Sequence, residues 1–270
     1  MRRRSAPSLA AIALVALTLL ALPGAAQQTA APTAPRMFMV HVEKALPYKL
    51  AAYETATKDF VRTVQQNRSA LPTFWFQTLQ GEDLSYAYIS PIRGFADMDG
   101  VLAGFDRMAK ANPTAWDELW RRSGETMESV DEGVFMEMPG GSYEPMPARL
   151  RPEDERYYEL DFYRLRPGME SAARDIAAQW KALHEKHHIA AGYRIYELVS
   201  GHDMPMVIVS IPARDAADLA AIQALEEKEL GQERTMMIDK TFALTRGYEV
   251  KRLWARPDLS LMPPAMTPGR

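Results

Sequence analysis

The sequence predicts an α+β protein built from two tandem βαββαβ units, with antiparallel sheets packed face to face as an α/β barrel and the helices outside. Three observations predict it. First, the chain matches itself at a constant offset of 120: Pro47 falls on Pro167, Gly81 on Gly201, Asp83 on Asp203 and Ser90 on Ser210, without a gap. Second, residues 38–42 fall on 158–162 with their hydrophobic alternation in phase. Third, Tyr86, Tyr88, Met206 and Ile208 cannot all point at helices, so each sheet has a second apolar face that needs another layer. A period this long, present twice, marks one duplicated folding unit rather than a solenoid.

The first unit spans 37–138. Residues 37–42 alternate with period two and predict a strand. Leu46-Pro47 then opens a helix, in which Leu50, Tyr53, Thr57, Phe60, Val61 and Val64 recur at three- and four-residue steps. Leu71-Pro72 stops it. Segments 73–79 and 84–90 are aromatic and β-branched and flank Gln80-Gly81-Glu82-Asp83, a hairpin signature. Helices are predicted over 96–111 and 114–129, broken at Asn112-Pro113, and 133–138 closes the unit as a strand. The second unit, 157–254, repeats the order: a strand over 157–165, then a helix carrying Met169, Ala172, Ala173, Ile176, Trp180 and Leu183 on one face. A hairpin over 192–211 follows, then helices over 213–230 and 232–244, then a strand over 247–254. The Pro- and Gly-dense stretch 139–156 links the units, and 255–270 is predicted to be a Pro-rich tail.

Residues 1–26 have the form of a signal peptide: Arg2, Arg3 and Arg4 are followed by an apolar run over 9–22 and small residues up to Ala26. The run is shorter than the ~20 residues needed to span a bilayer. The expected localisation is therefore periplasmic, after export, with no integral membrane segment in the mature chain. Residues 27–36 predict a disordered spacer. Loss of 1–26 removes three arginines and no acids, taking the net charge from −3 to −6. That balance argues against nucleic acid as a partner. There are no cysteines, which excludes disulfides, thiol nucleophiles and thiolate metal sites.

This order of elements, a tandem repeat of the ferredoxin-like split βαβ, resembles the dimeric α/β-barrel superfamily. That group includes NIPSNAP-like, antibiotic-biosynthesis-monooxygenase-like and chlorite-dismutase-like proteins. The resemblance covers about residues 37–255 and rests on element order. It implies that a tandem chain builds the barrel by itself, as a monomer or as a dimer through its helices. It carries over no catalytic residue.

Three constellations hold candidate chemistry. His184-Glu185-Lys186-His187-His188 satisfies the string H-E-x-x-H, in which two histidines four apart on a helix bind zinc and the glutamate acts as base. It lies on the last helical turn, where the helix dipole alone favours imidazoles, and its duplicate, 64–68, holds no ligand. His184 and His188 are thus the metal candidates, and no firm metal site is expected. The resemblance adds haem as an alternative cofactor. Chlorite-dismutase-like proteins carry an axial histidine shortly before a glycine, and His188-Ile189-Ala190-Ala191-Gly192 has that spacing, with Tyr193 where a basic residue is usual.

The third constellation is the barrel interior. Even positions of the first strand of each unit (Phe38, Val40, Val42; Tyr158, Leu160, Phe162) are apolar and are expected to face the helices. Odd positions, among them Met39, His41, Glu159, Asp161 and Tyr163, then face the partner sheet. Duplicate positions place His41 and Asp161 opposite one another, with Arg194 as a partner for the carboxylates. The candidate catalytic set is His41, Asp161, Tyr163 and Arg194. The candidate ligand-binding set is His41, Tyr86, Tyr88, Glu159, Asp161 and Arg194. The sequence favours a protein without a cofactor that holds a small, partly apolar organic ligand or acts as a scaffold. The alternative is an enzyme: a cofactor-free monooxygenase or isomerase using His41 and Asp161, or a haem protein using His188.

Overall fold

The structure is a computed structural model that describes residues 36–263. Residues 1–26, expected to be a signal peptide, residues 27–35 of the expected spacer and the last seven residues lie outside the described residues. The first half comprises β1 (Met37–Ala45), α1 (Leu50–Gln66), β2 (Gln77–Gly81), β3 (Ser85–Ile92), α2 (Phe95–Ala111), α3 (Pro113–Gly124) and β4 (Met127–Glu137). The second comprises β5 (Tyr157–Leu165), α4 (Glu170–Lys186), β6 (Arg194–Gly201), β7 (Met206–Ala213), α5 (Ala216–Phe242) and β8 (Thr245–Ala255). β5 and α4 repeat β1 and α1 at the offset of 120 residue for residue.

Local chemistry sets the boundaries. Asn112 caps α3 by accepting from the Ala115 amide at 3.3 Å, with Pro113 following in the first turn. Asp215 caps α5 by accepting from the Asp218 amide at 2.8 Å. The break expected after residue 230 is a kink: Gly231 adopts φ 47°, ψ −124°, and the chain resumes as a helix beyond it. No described helix is long and apolar enough to cross a membrane.

The eight strands close into an antiparallel barrel in the order β1-β3-β2-β8-β5-β7-β6-β4, with the helices outside. The two sheets join along both edges. One seam pairs Leu79 with Ala255 and Gly81 with Leu253; the other runs from Gly133 paired with Gly201 to Glu137 paired with Tyr196. Each half carries a bulge at the same duplicated place, between Lys44 and Ala45 and between Arg164 and Leu165. Closure removes every strand edge, which accounts for a stable sheet without disulfides.

The face assignment expected for β1 and β5 is reversed. The barrel interior is filled by the even positions: Leu160 packs with Leu79, Tyr158 and Leu253 on one side and with Leu198, Met206, Ile208 and Phe162 on the other. Phe38 meets Tyr196 edge-on at 5.6 Å. The odd positions face the helices, Met39 beneath α1 and α2, Tyr157 and Tyr163 beneath α4 and α5. The apolar even positions bury one another across the ring, while Arg194, Glu249 and Lys251 share their rows.

The segments flanking the second unit are not free connectors. In the 139–156 linker, Tyr143 bridges to Tyr193 and is buried against the second half. A side chain at Gly141 would place its Cβ 2.6 Å from that of Ala177, so only glycine lets the linker lie on α4. The expected tail docks too. Leu259 and Leu261 are buried against the first half, and Leu261 bridges to Phe76. Thr78 Oγ1 donates to the Leu259 carbonyl at 2.8 Å. Each half thus ends in an arm that packs on the other half.

Candidate functional site

Beneath α4 and α5, the helix-facing side of β5–β8 leaves a cavity of about 470 Å³. Ile176 and Trp180 of α4 and Ile195, Val207, Val209 and Ile211 of the sheet form apolar walls. Phe242 and Tyr248, each 43% exposed, mark its mouth; His184 at 2% and Tyr193 at 6% mark its closed end. In the first half Phe60, Phe74, Phe76, Phe105 and Trp116 interlock with ring centroids 5.5–6.3 Å apart, and Leu261 packs beside them.

β5 presents Glu159, Asp161 and Tyr163 to this cavity. Tyr248 donates to Asp161 Oδ1 at 3.0 Å, and its ring lies 5.0 Å from Tyr163 and 5.1 Å from Phe242. Burial pushes the Asp161 carboxyl up to about 6, against the opposing pull of the Tyr248 hydrogen bond. Burial also pushes both phenols, Tyr163 and Tyr248, well above the ordinary tyrosine range. Glu159 is 5% exposed and fully engaged, accepting from Gln223 Nε2 at 2.7 Å and from Arg252 Nε at 3.1 Å. Arg234 lines the same cavity and forms no ion pair among the described residues.

His41 and Asp161 do not meet. β1 and β5 are four places apart around the eight-strand ring, and each side chain points outward beneath its own helices. His41 sits instead with two other candidates, Tyr86 and Tyr88, on the first half. Its Nδ1 lies 2.8 Å from Glu132 and its Nε2 3.1 Å from Glu43, which also accepts from Tyr53 at 2.5 Å. Tyr88 bonds Tyr53 at 2.6 Å, and Tyr86 donates to Glu54 at 3.0 Å. Burial lowers the His41 pKa, but the bonds to Glu43 and Glu132 outweigh it and hold it above the ordinary value. Arg194 belongs to neither group. It shares the interior-facing row with Leu160 and Ser210, and Glu155 clamps it with two bonds of 2.7 and 2.8 Å.

The H-E-x-x-H pair is also split. His184 is buried at the closed end of the cavity, whereas His188 is exposed past the helix end at φ 52°. His188 is not among the cavity-lining residues, so it has no slot in which to hold haem. His184 has both ring nitrogens engaged, Nδ1 at 3.0 Å from the Trp180 carbonyl and Nε2 at 3.3 Å from Glu226. The cavity lining holds four carboxylates, Glu82, Glu159, Asp161 and Glu226, against two guanidiniums, Arg234 and Arg252. His188 lies away from the cavity and both nitrogens of His184 are taken, so neither histidine offers the axial nitrogen of a histidine-ligated haem.

Sequence reasoning missed Tyr193, Gln223, Glu226, Arg234 and Tyr248. A signal existed for part of α5: Leu219, Gln223, Glu226, Leu230, Arg234, Met237 and Thr241 recur at steps of three and four, so polar groups interrupt a core-facing stripe.

No family model matches the chain, and no curated protein matches it. Solved structures do. An anthrone oxidase-like protein superposes with a TM-score of 0.54 at 12% identity, over 82% of this chain and 91% of that one. A proposed monooxygenase from Fusobacterium nucleatum superposes with a TM-score of 0.50 at 11% identity, over 83% and 93%. At such identity the likeness speaks for the fold alone. With its closed eight-stranded ring, outer helices and duplicated halves, the chain has the fold of the dimeric α/β-barrel superfamily, both units being supplied by one polypeptide.

Proposed function

We propose that the protein binds a small, partly aromatic molecule in the second-half cavity, without a cofactor, and that Asp161 accepts an acidic proton from it. The observation that carries this reading is a carboxyl raised to about 6 inside an aromatic and aliphatic chamber. A general base works best when its pKa lies near the working pH. Near neutrality Asp161 is mostly ionised yet poorly solvated, which favours taking a proton from a bound O–H or C–H. The unpaired Arg234 guanidinium is available to the anion that remains. The names of the two like-folded proteins, an anthrone oxidase-like protein and a proposed monooxygenase, are in keeping with chemistry on such a molecule. Export to the periplasm belongs to the same proposal and rests on the arginines, apolar run and small residues of 1–26.

Calorimetric titration with 6-hydroxy-1-tetralone, a two-ring phenol with a conjugated ketone, tests this. Affinity is expected to fall as the pH drops through about 6 and to lose that dependence in Asp161→Asn. Absence of binding at every pH, or the same profile in both proteins, would overturn it.

A further inference from the structure

Glu226 faces the cavity from α5 with its carboxyl tied to the buried His184. His184 Nδ1 lies 3.0 Å from the Trp180 carbonyl oxygen, which can only accept, so Nδ1 carries a hydrogen. Nε2 lies 3.3 Å from Glu226 Oε1, and that bond needs one proton between the two atoms. The proton rests either on Nε2, giving an imidazolium beside a carboxylate, or on Oε1, giving a neutral imidazole beside a carboxylic acid. Both arrangements leave Glu226 Oε2 an acceptor, and both leave the pair without net charge. Oε2 has no hydrogen-bond partner among the described residues and is not among the buried atoms that lack one; the Glu226 side chain is 15% exposed in the cavity lining. Behind it the His184 ring is fixed against those of Tyr193 at 4.9 Å and Tyr143 at 5.4 Å, so the carboxyl is held in place.

Asp161 offers another acceptor to the same space. Its Oδ1 accepts from Tyr248, while its Oδ2 has no partner among the described residues and is likewise not buried. The two carboxyls stand at neighbouring places. Gln223 of α5 bonds Glu159 of β5, and Phe242 of α5 lies against Tyr163 of β5, so helix and strand run the same way. Asp161 sits between Glu159 and Tyr163 on the strand, and Glu226 sits nearly one turn past Gln223 on the helix. The Glu226 charge is accordingly felt at Asp161, where it helps to raise the carboxyl. We infer that Glu226 is a specificity-determining residue, accepting a hydrogen bond from a second, neutral hydroxyl on the molecule whose acidic group meets Asp161. This rests on the cavity reading above and adds a recognition contact at the same site. Glu226 breaks no bond of the ligand, and His184 acts through it as a positioning residue. A neutral hydroxyl suits the pair better than an ammonium, because an ammonium gives up its hydration for a partner without net charge.

The test is calorimetry with two ligands that differ by one hydroxyl: 4-(2-hydroxyethyl)phenol, whose short arm turns freely, and 4-propylphenol, which has a methyl group in its place. The wild type is compared with Glu226→Gln and Glu226→Met. The wild type is expected to prefer the diol about tenfold. Glu226→Gln is expected to retain the preference, since its amide N–H can donate to His184 Nε2 while its oxygen stays toward the cavity. Glu226→Met is expected to lose the preference while binding 4-propylphenol as the wild type does. No preference in the wild type, or an unchanged one in Glu226→Met, would overturn this inference with the cavity reading intact. No binding of either ligand to the wild type would overturn both. If circular dichroism shows Glu226→Met unfolded, the Glu226 carboxyl ¹³C shift of the wild type decides. It is expected to move with the diol and not with 4-propylphenol, and equal shifts with both would overturn the inference.

Discussion

Tyr248 donates its phenolic hydrogen to Asp161 Oδ1 across 3.0 Å, at the mouth of a chamber whose walls are otherwise largely apolar. The bond holds the carboxyl lower than burial alone would place it. Tyr248→Phe is therefore expected to raise the Asp161 pKa above about 6, as read from the carboxyl ¹³C shift in an NMR titration. A fall, or no change, would show that burial and hydrogen bonding do not set this group as described.

Asp161 also makes stability depend on pH. Its folded pKa of about 6 stands above the ordinary 3.8, so between these values the folded state binds the proton more tightly than the unfolded chain. Stability must then fall as the pH rises through this window, by about 2 kcal/mol after allowing for solvent screening. Asp161→Asn keeps an acceptor for Tyr248 and removes the charge. Urea denaturation from pH 4 to 8 is expected to show that variant more stable above pH 6 by an amount of this order, with this slope absent.

Tyr193→Phe removes a hydroxyl that has no hydrogen-bond partner among the described residues. The ligand-free variant is expected to be more stable than the wild type by about 1 kcal/mol. Thermal unfolding measures this, and a loss of stability would point to a partner for the hydroxyl within the protein.

Leu261 closes the aromatic cluster of the first half while belonging, by sequence, to the end of the second. Leu261→Ala is expected to cost about 2–5 kcal/mol, the range for emptying a buried leucine site. A surface-like effect below about 0.5 kcal/mol would show that the arm does not hold the two halves together.

Much of this was readable from the sequence. The offset of 120 located β5 and α4 from β1 and α1, and Asn112-Pro113 marked the start of α3. Period-two alternation separated Leu160 and Phe162 from Asp161 and Tyr163, but turning the first pair toward the helices was wrong, because the rule of polar residues outward has no plain meaning when both faces are covered. Closure decides it: the ring is sealed by Leu160 and its neighbours, while the helical layer stays open near β8, where Tyr248 and Arg252 keep contact with solvent. Glu159, Asp161 and Tyr163 thus remained together, and His41 went with Tyr86 and Tyr88 to the opposite wall. The docked arms were hidden by their prolines. Pro257, like Pro47, starts a short 3-10 turn and so helps place Leu259 and Leu261.

The most direct measurement is a crystal structure of the mature protein soaked with 6-hydroxy-1-tetralone. Ligand density is expected between the β5–β8 sheet and α4–α5, with the phenol oxygen at Asp161. Density inside the barrel among Leu160, Leu198 and Leu253, or on the first half at His41 with the second-half chamber empty, would contradict it.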